Sequence, residues 1–342
     1  MKEKFQVSYS AISSFCRCPH SYYFQYEYRN PKTGNRVGVV NPYLSLGLSV
    51  HRAIEDLSDV PIKERVKISL KERFDEIFSE YRGLKGGFIS QKKEDFFYKR
   101  GLEMMERVEK SSFLSRPSIS PPSKFLTTDI VEDEIKIIGA LDWIEELPNG
   151  DLHIIDFKTG NNKEKSDSLQ LPIYALLAER NLTGKKIKKM SYWYLQSDDN
   201  PVSQEIKKGS AYLDTLKEKA VAIKEARENN DFSCRYPGRC FACSDYEKIF
   251  QGEAELISSE NGRDNFCVFK EKEVVEKIME EEFLDEREKK IFEMRMDCDM
   301  EDINRQLRLS EKKSSLIVKE IKEKLLKNLH LQELKIVIKI LQ

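Results

Sequence analysis

The sequence predicts an α/β protein, a mixed sheet flanked by helices, followed by a small all-α module. Three observations predict it. Residues 126 to about 250 alternate strand-like apolar runs with amphipathic helical stretches. Residues 1 to about 125 carry long charged runs with helical periodicity. From about residue 275 the pattern turns helical again and stays so. The resulting division is a main domain over 1–250, a linker over 251–280 and a helical module over 281–342, in line with the two domains that 342 residues suggest at roughly 150 residues each.

Taken in order, 63–81 and 92–110 read as helices, and RPSISPP at 116–122 reads as a loop because its prolines and serines break both periodicities. IVEDEIKIIGALDWIEEL reads as a strand pair, PNGD as a turn, and DLHIIDFKTG as a strand ending at Gly160. SDSLQLPIYALLAERN follows as a helix and KKMSYWYLQS as a further strand. Hydrophobic residues make up 39% of the chain, enough for a core, so global disorder is excluded. Net charge is 58 − 59 = −1, so nucleic-acid contact must come from local patches. The sequence has no apolar stretch long enough for an ordinary membrane helix, and MKEKFQVSYS lacks a signal-like apolar run. A cytoplasmic location with no membrane partner is the expectation, which places the seven cysteines in a reducing compartment.

The chemistry concentrates in IIGALDWIEEL followed by LHIIDFKTG. Asp156 and Lys158 are two apart on one strand and leave it on the same face, whereas Phe157 points to the other. Asp142 ends the apolar run of the neighbouring strand. Two carboxylates and an ammonium brought together suit a hard, oxygen-liganded cation such as Mg2+ or Mn2+ and the hydrolysis of a phosphodiester. Taken alone, Asp-x-Lys is also an ordinary surface ion pair. The preceding isoleucines favour the functional alternative, because they set these charges at the end of a buried strand, where an unused ion is costly.

These residues resemble the RecB-like branch of the PD-(D/E)XK nucleases, which includes AddB-type and CRISPR-associated exonucleases. SYSAISSFCRCPHSYYFQY at 8–26 is similar to that family's opening helix with its Cys-Pro element. LGLSVHRAIEDL at 46–57 is similar to its histidine motif, and LQLPIYALL to its Q-x-x-x-Y motif. The resemblance covers about residues 5–250 and implies a restriction-endonuclease-like sheet. It also implies metal ligation by His51, Asp142, Asp156 and the backbone carbonyl of Phe157. Catalytic roles then fall to Asp142, Asp156, Lys158, Gln170 and Tyr174. Gln170 and Tyr174 are i and i+4 on a helix and share a face. Glu55, one turn after His51, is either a carboxylate that orients the imidazole or a solvated surface residue.

The same resemblance implies that the Cys-Pro helix is stapled to a C-terminal cysteine trio by a four-iron–four-sulfur (4Fe–4S) cluster. Here the trio is Cys234, Cys240 and Cys243, spaced C-x5-C-x2-C, and Cys18 is the natural fourth ligand with Cys16 in reserve. The spacing departs from the family's usual C-x2-C with a further cysteine downstream. Phe250 stands near that slot and Cys234 lies upstream instead. Iron–sulfur, zinc and free buried thiols all remain open, with Zn2+ as the alternative metal. Cys267 and Cys298 stand alone and receive no role.

In the C-terminal module, Met300, Ile303 and Leu307 mark a short helix, and Ser310 is a good N-cap for the next one. Ile317, Ile321 and Leu325 form that helix's apolar stripe. The short turn between the two resembles the helix-turn-helix of sigma factors and LuxR-type regulators. Residues 281–302 carry 4 − 10 = −6 and residues 303–342 carry 10 − 4 = +6. Lys312, Lys313, Ser314, Ser315 and Lys319 are then the residues expected to face duplex DNA. A helical bundle with a solvated Lys/Glu face is the plainer alternative. The function this assembles is a metal-dependent DNA nuclease, an exonuclease on single-stranded DNA or DNA ends in repair, recombination or replication. A non-catalytic DNA-binding protein on a nuclease scaffold is the alternative. So is a nuclease subunit whose helicase is a separate chain, because the sequence carries no G-x-x-x-x-G-K-S/T phosphate loop.

Overall fold

A computed structural model describes residues 4–205, 208–236, 240–295 and 300–341. The fold is mixed α/β. Strand β1 (Phe5–Ser8) leads into α1 (Tyr9–Arg17) and α2 (Pro19–Tyr22), then β2 (Arg36–Val40). Helices α3 (Pro42–Glu55), α4 (Ile62–Arg65), α5 (Leu70–Ser79) and α6 (Gln91–Lys110) follow. Strands β3 (Leu126–Val131), β4 (Ile135–Gly139), β5 (Trp143–Glu146) and β6 (Leu152–Lys158) precede α7 (Gln170–Asn181), β7 (Ile187–Tyr194) and β8 (Val202–Gln204). Then come α8 (Leu213–Asn229), α9 (Phe241–Phe250), β9 (Ala254–Glu260), β10 (Arg263–Val268) and α10 (Glu271–Glu280). The chain closes with α11 (Glu286–Met294), α12 (Met300–Leu307), α13 (Glu311–Asn328) and α14 (Leu331–Leu341). Among the described residues no helix is long and apolar enough to cross a membrane.

The central sheet has the order β5-β6-β7-β8. β6 and β7 are parallel, so the chain must cross over between them, and α7 is that crossover. β6 is buried along its length, and its alternation separates two cores. Leu152 and Ile154 join the core under α7, while Ile155 and Phe157 join the one under α3, α5 and α6. On the second side α5 and α6 approach closely at Gly101, where an added Cβ would lie 2.0 Å from the Phe74 ring. A second sheet, β1-β4-β3, has β1 parallel to β4. The stretch expected as one strand pair is therefore three strands. β4 and β5 are separated at residues 140–142, and Asp142 sits in that break. The helical run expected over 63–81 is two helices, because α5 starts afresh at an N-cap, Ser69, whose hydroxyl accepts from Glu72 N.

The segment expected as a linker, 251–280, is folded. β9 and β10 form a hairpin across Asn261 and Gly262, both at positive φ, as a tight turn with the strands' own twist requires. β10 pairs in parallel with β2, and buried Asp264 accepts hydrogen bonds from Asn30, Thr33, Asn35 and Ser259. The Asn-Gly pair is the sequence signal for this hairpin, and polar Ser258, Ser259 and Glu260 mask the alternation around it. α10 continues into a third core shared with α11, α13, Phe269 and Ile89. The C-terminal helices are thus fastened to the main domain, also through Lys92–Glu280 at 2.8 Å and the Lys93–Glu273 ion pair.

α12 and α13 form as expected, with Arg308 at positive φ in the turn and Ser310 at the N-cap position, although its hydroxyl caps nothing. Lys312, Lys313, Ser315 and Lys319 are exposed. Ser314 is not: it is 2% exposed and its hydroxyl donates to the Glu311 carbonyl. It lies on the inward stripe with Ile317, Ile321 and Leu325, so the expectation that it faces DNA is corrected. Cys298 lies outside the described residues.

Candidate metal centre

The C-terminal end of β6 is where the polar groups meet. Asp156 and Lys158 leave β6 on the α7 side, because Phe157 between them is packed into the opposite core. That Phe157 side chain meets Phe113 and Trp193, with His51 edge-on at 6.0 Å. α3 starts at Asn41, whose side chain accepts from Leu44 N, with Pro42 in the first turn. Its far end brings His51 and Glu55 over the strand. α7 supplies Gln170 and Tyr174 from the other side.

Asp142 Oδ2 accepts from Phe157 N at 2.9 Å and lies 3.4 Å from His51 Nδ1. His51 Nδ1 is 2.7 Å from Glu55 Oε1, so Glu55 orients the imidazole. Gln170 bridges the pair on β6: its Nε2 donates to Asp156 Oδ1 at 2.6 Å and its Oε1 accepts from Lys158 Nζ at 2.5 Å. Gln170 Nε2 also meets the Tyr174 hydroxyl at 3.2 Å. Asp156 is 1% exposed. Its Oδ2 has the Lys158 ammonium 2.9 Å away as an ion pair, yet no hydrogen-bond partner of good geometry.

The electrostatics follow from this crowding. Burial raises both Asp142 and Asp156, Asp142 further through repulsion from Asp156, against the pull of His51 and Lys158. Burial disfavours the charged imidazole, but Asp142, Glu55 and Asp156 outweigh it and bring His51 up to about 9. Burial works against the Lys158 ammonium too, and Asp156 and Glu164 override it, so its pKa is raised. Asp156 is buried and Asp142 is largely so, its side chain 11% exposed towards the cleft, and two carboxylates set against each other in this way are penalised unless a cation offsets their repulsion. His51, Glu55 and Asp142 each offer a ligand atom within 4.8 Å of the others. The donor set of oxygens plus one imidazole fits Mg2+ or Mn2+.

Two neighbours had no sequence signal. Glu164, 3.3 Å from Lys158 Nζ, comes from an irregular charged loop. Tyr192, with Lys158 Nζ 5.1 Å from its ring centre, faces the site only because β7 pairs Tyr192 with Asp156. A second constellation, Glu145–His153–Ser191, has the hydrogen bonds of a hydrolytic triad, both at 2.8 Å. Ser191 is fully buried between strands, so this is a structural link across β5, β6 and β7.

The cysteines form a separate centre. Cys18, Cys234, Cys240 and Cys243 all place sulfurs within 4.8 Å of one another, while Cys16 is exposed and outside the group. Cys18 Sγ to Cys234 Sγ is 3.7 Å and Cys240 Sγ to Cys243 Sγ is 3.6 Å. Burial pushes the Cys18 thiol up to about 11 and Cys243 to about 12. Burial also opposes ionisation of Cys240, but hydrogen bonds from Cys18, Cys243 and backbone amides bring it down to about 7. The set could hold zinc or an iron–sulfur cluster, and either would tie α1 and α2 to α9.

A comparison with curated proteins gave no match. The family model of the PD-(D/E)XK nuclease superfamily matches residues 6–271, which span the oxygen site, the cysteine set and the β9–β10 hairpin. The chain belongs to the PD-(D/E)XK nuclease superfamily.

Proposed function

We propose that the protein is a RecB-like deoxyribonuclease that hydrolyses phosphodiester bonds with Mg2+ or Mn2+, working as an exonuclease on single strands or DNA ends. The observation that carries this reading is the Asp142–Asp156 carboxylate pair at the foot of the cleft, joined by His51 and Lys158 from three separate stretches of chain. His51, Asp142, Asp156 and the Phe157 carbonyl would hold the cation, which supplies polarisation of the phosphate and a more acidic attacking water. Glu55 keeps the imidazole turned to the carboxylates. Lys158, held charged by Asp156 and Glu164 and positioned by Gln170, orients the water and balances charge on the phosphate. The water loses a proton as its oxygen bonds to phosphorus, the bridging P–O bond breaks, and the leaving oxygen takes up a proton, so diester and water become monoester and alcohol. Gln170 and Tyr174 frame the site.

In the cysteine set, a tetrahedral ion with metal–sulfur bonds of about 2.3 Å separates its thiolates by about 3.8 Å. The 3.6 and 3.7 Å pairs match that spacing. A four-iron cluster holds its thiolates farther apart. This favours zinc over the iron–sulfur expectation, in a structural clamp.

The C-terminal helices would act as a helix-turn-helix on duplex DNA through Lys312, Lys313, Ser315 and Lys319, and any helicase would be a separate chain. Alanine at Lys319 should then lower the salt slope of duplex binding by about one.

The test is degradation of labelled DNA with Mg2+ or Mn2+. The wild-type chain should degrade it, and Asp156→Ala or Lys158→Ala should reduce the rate by at least about 10^3-fold. Duplex binding without cleavage under either metal would instead favour a non-catalytic DNA-binding protein.

A further inference from the structure

The metal centre opens into a cleft of about 600 Å3 whose upper walls are apolar. On α3 the stripe Leu44, Leu48, His51, Glu55 follows i, i+4, i+7, i+11, so one helix face runs from exposed leucines down to the ligand set. Leu44 and Leu48 are 48% and 46% exposed. Beside them Tyr43 is 66% exposed, and across the cleft Phe125, just before β3, is 56% exposed. Neither ring belongs to a core. Tyr43 is nonetheless held in place, edge-on to Phe97 at 4.9 Å and 90°. Among the described residues lining the cleft there is no lysine or arginine, and its charged groups are His51, Glu55 and Asp142.

Apart from Lys158 at the bond to be cut, no basic side chain of the described cleft lining is placed to grip the phosphates of an entering strand. What the walls offer is flat aromatic surface, and stacking on it needs a base whose face is free. In a duplex both faces are covered by neighbouring pairs. We infer that Tyr43 and Phe125 are stacking platforms for unpaired bases next to the bond to be cut, so that this cleft selects a single-stranded segment over a duplex one. The inference rests on the nuclease reading of the same cleft. It adds the chemical class recognised there, the π-face of a nucleobase, and the two residues that recognise it.

The experiment measures binding of the full chain to two labelled single-stranded oligonucleotides of equal length by fluorescence anisotropy, with Ca2+ in place of Mg2+. One carries bases and the other carries abasic residues throughout. The wild-type chain should prefer the base-bearing strand. Tyr43→Ala and Phe125→Ala should each weaken that binding about tenfold, at the lower end of what removing one stacking ring costs. The loss should be confined to the base-bearing strand, and Tyr43→Phe should keep the preference. Equal binding of the two oligonucleotides, or equal losses on both in the alanine variants, would overturn the inference. Nuclease activity is measured separately, by wild-type hydrolysis of bis(4-nitrophenyl) phosphate with Mn2+, a diester without a nucleobase. Hydrolysis without base preference would leave the nuclease and remove the platforms. Base preference without hydrolysis would do the reverse.

Discussion

The protein carries two ligand clusters that differ in hardness, in placement and in what they leave unsatisfied. The oxygen cluster sits at the end of a buried strand, between α3 and α7, where regular elements carry His51, Asp156, Lys158 and Gln170 and the β4–β5 break carries Asp142. Its carboxylates repel one another, and one Asp156 oxygen lacks a properly formed hydrogen bond. The sulfur cluster joins the N-terminal helices to a segment over two hundred residues away. Its thiols meet one another and nearby backbone, and His20 and Glu247 each bring a side-chain atom within 4.8 Å of the Cys243 sulfur. The first arrangement stores electrostatic cost where a substrate can reach it, which is how a reactive centre is built. The second places soft ligands at a closure point, which is how a clamp is built.

The largest expected effect breaks the clamp. Cys243→Ser should cost more than about 4 kcal/mol of stability, the range reached when a structural metal is lost. The melting temperature would then fall by at least about 5 °C, as the unfolding entropy of a chain this long implies. Metal analysis of the wild-type protein should give one zinc per chain and no colour, whereas iron with broad visible absorption would make the clamp an iron–sulfur cluster. A smaller effect probes how the oxygen cluster is held. Gln170→Ala removes the bridge between Asp156 and Lys158 and should weaken Mn2+ binding by about 10–100-fold, read by calorimetry. An unchanged affinity would mean that the strand alone positions Asp156.

The smallest effect lies outside both clusters. Burial disfavours the Asp264 carboxylate, but hydrogen bonds from Ser259, Thr33, Asn35 and Asn30 prevail and hold its pKa at about 2. The unfolded value is about 3.9, so the folded value is depressed. The stabilisation is therefore present above about pH 4 and lost as pH falls from there towards 2. Asp264→Ala should cost about 1–3 kcal/mol at neutral pH and flatten the acid limb of a stability–pH curve. A parallel acid limb in the variant would place the titrating groups elsewhere.

Much of the oxygen cluster could be read in advance because its side chains sit on regular elements. Alternation on β6 puts Asp156 and Lys158 on one face, and helical spacing pairs Gln170 with Tyr174. Glu164 and Tyr192 could not be read so, since one comes from an irregular loop and the other depends on which strand pairs with β6. The β9–β10 hairpin reads as a linker because β9 is polar and half-exposed and the other partner of β10, β2, lies more than two hundred residues away. Ser314 shows the limit of reading a charged helix by composition. Three residues before Ile317, it falls on the inward stripe, and its polarity is satisfied by the Glu311 carbonyl.

The most direct test of the account is Mn2+ binding measured by electron paramagnetic resonance. The wild-type chain should take up Mn2+ at a site that is lost in both Asp142→Asn and His51→Ala, variants in β4–β5 and α3 respectively. Mn2+ binding that survives both substitutions would contradict the convergence on which the nuclease reading stands.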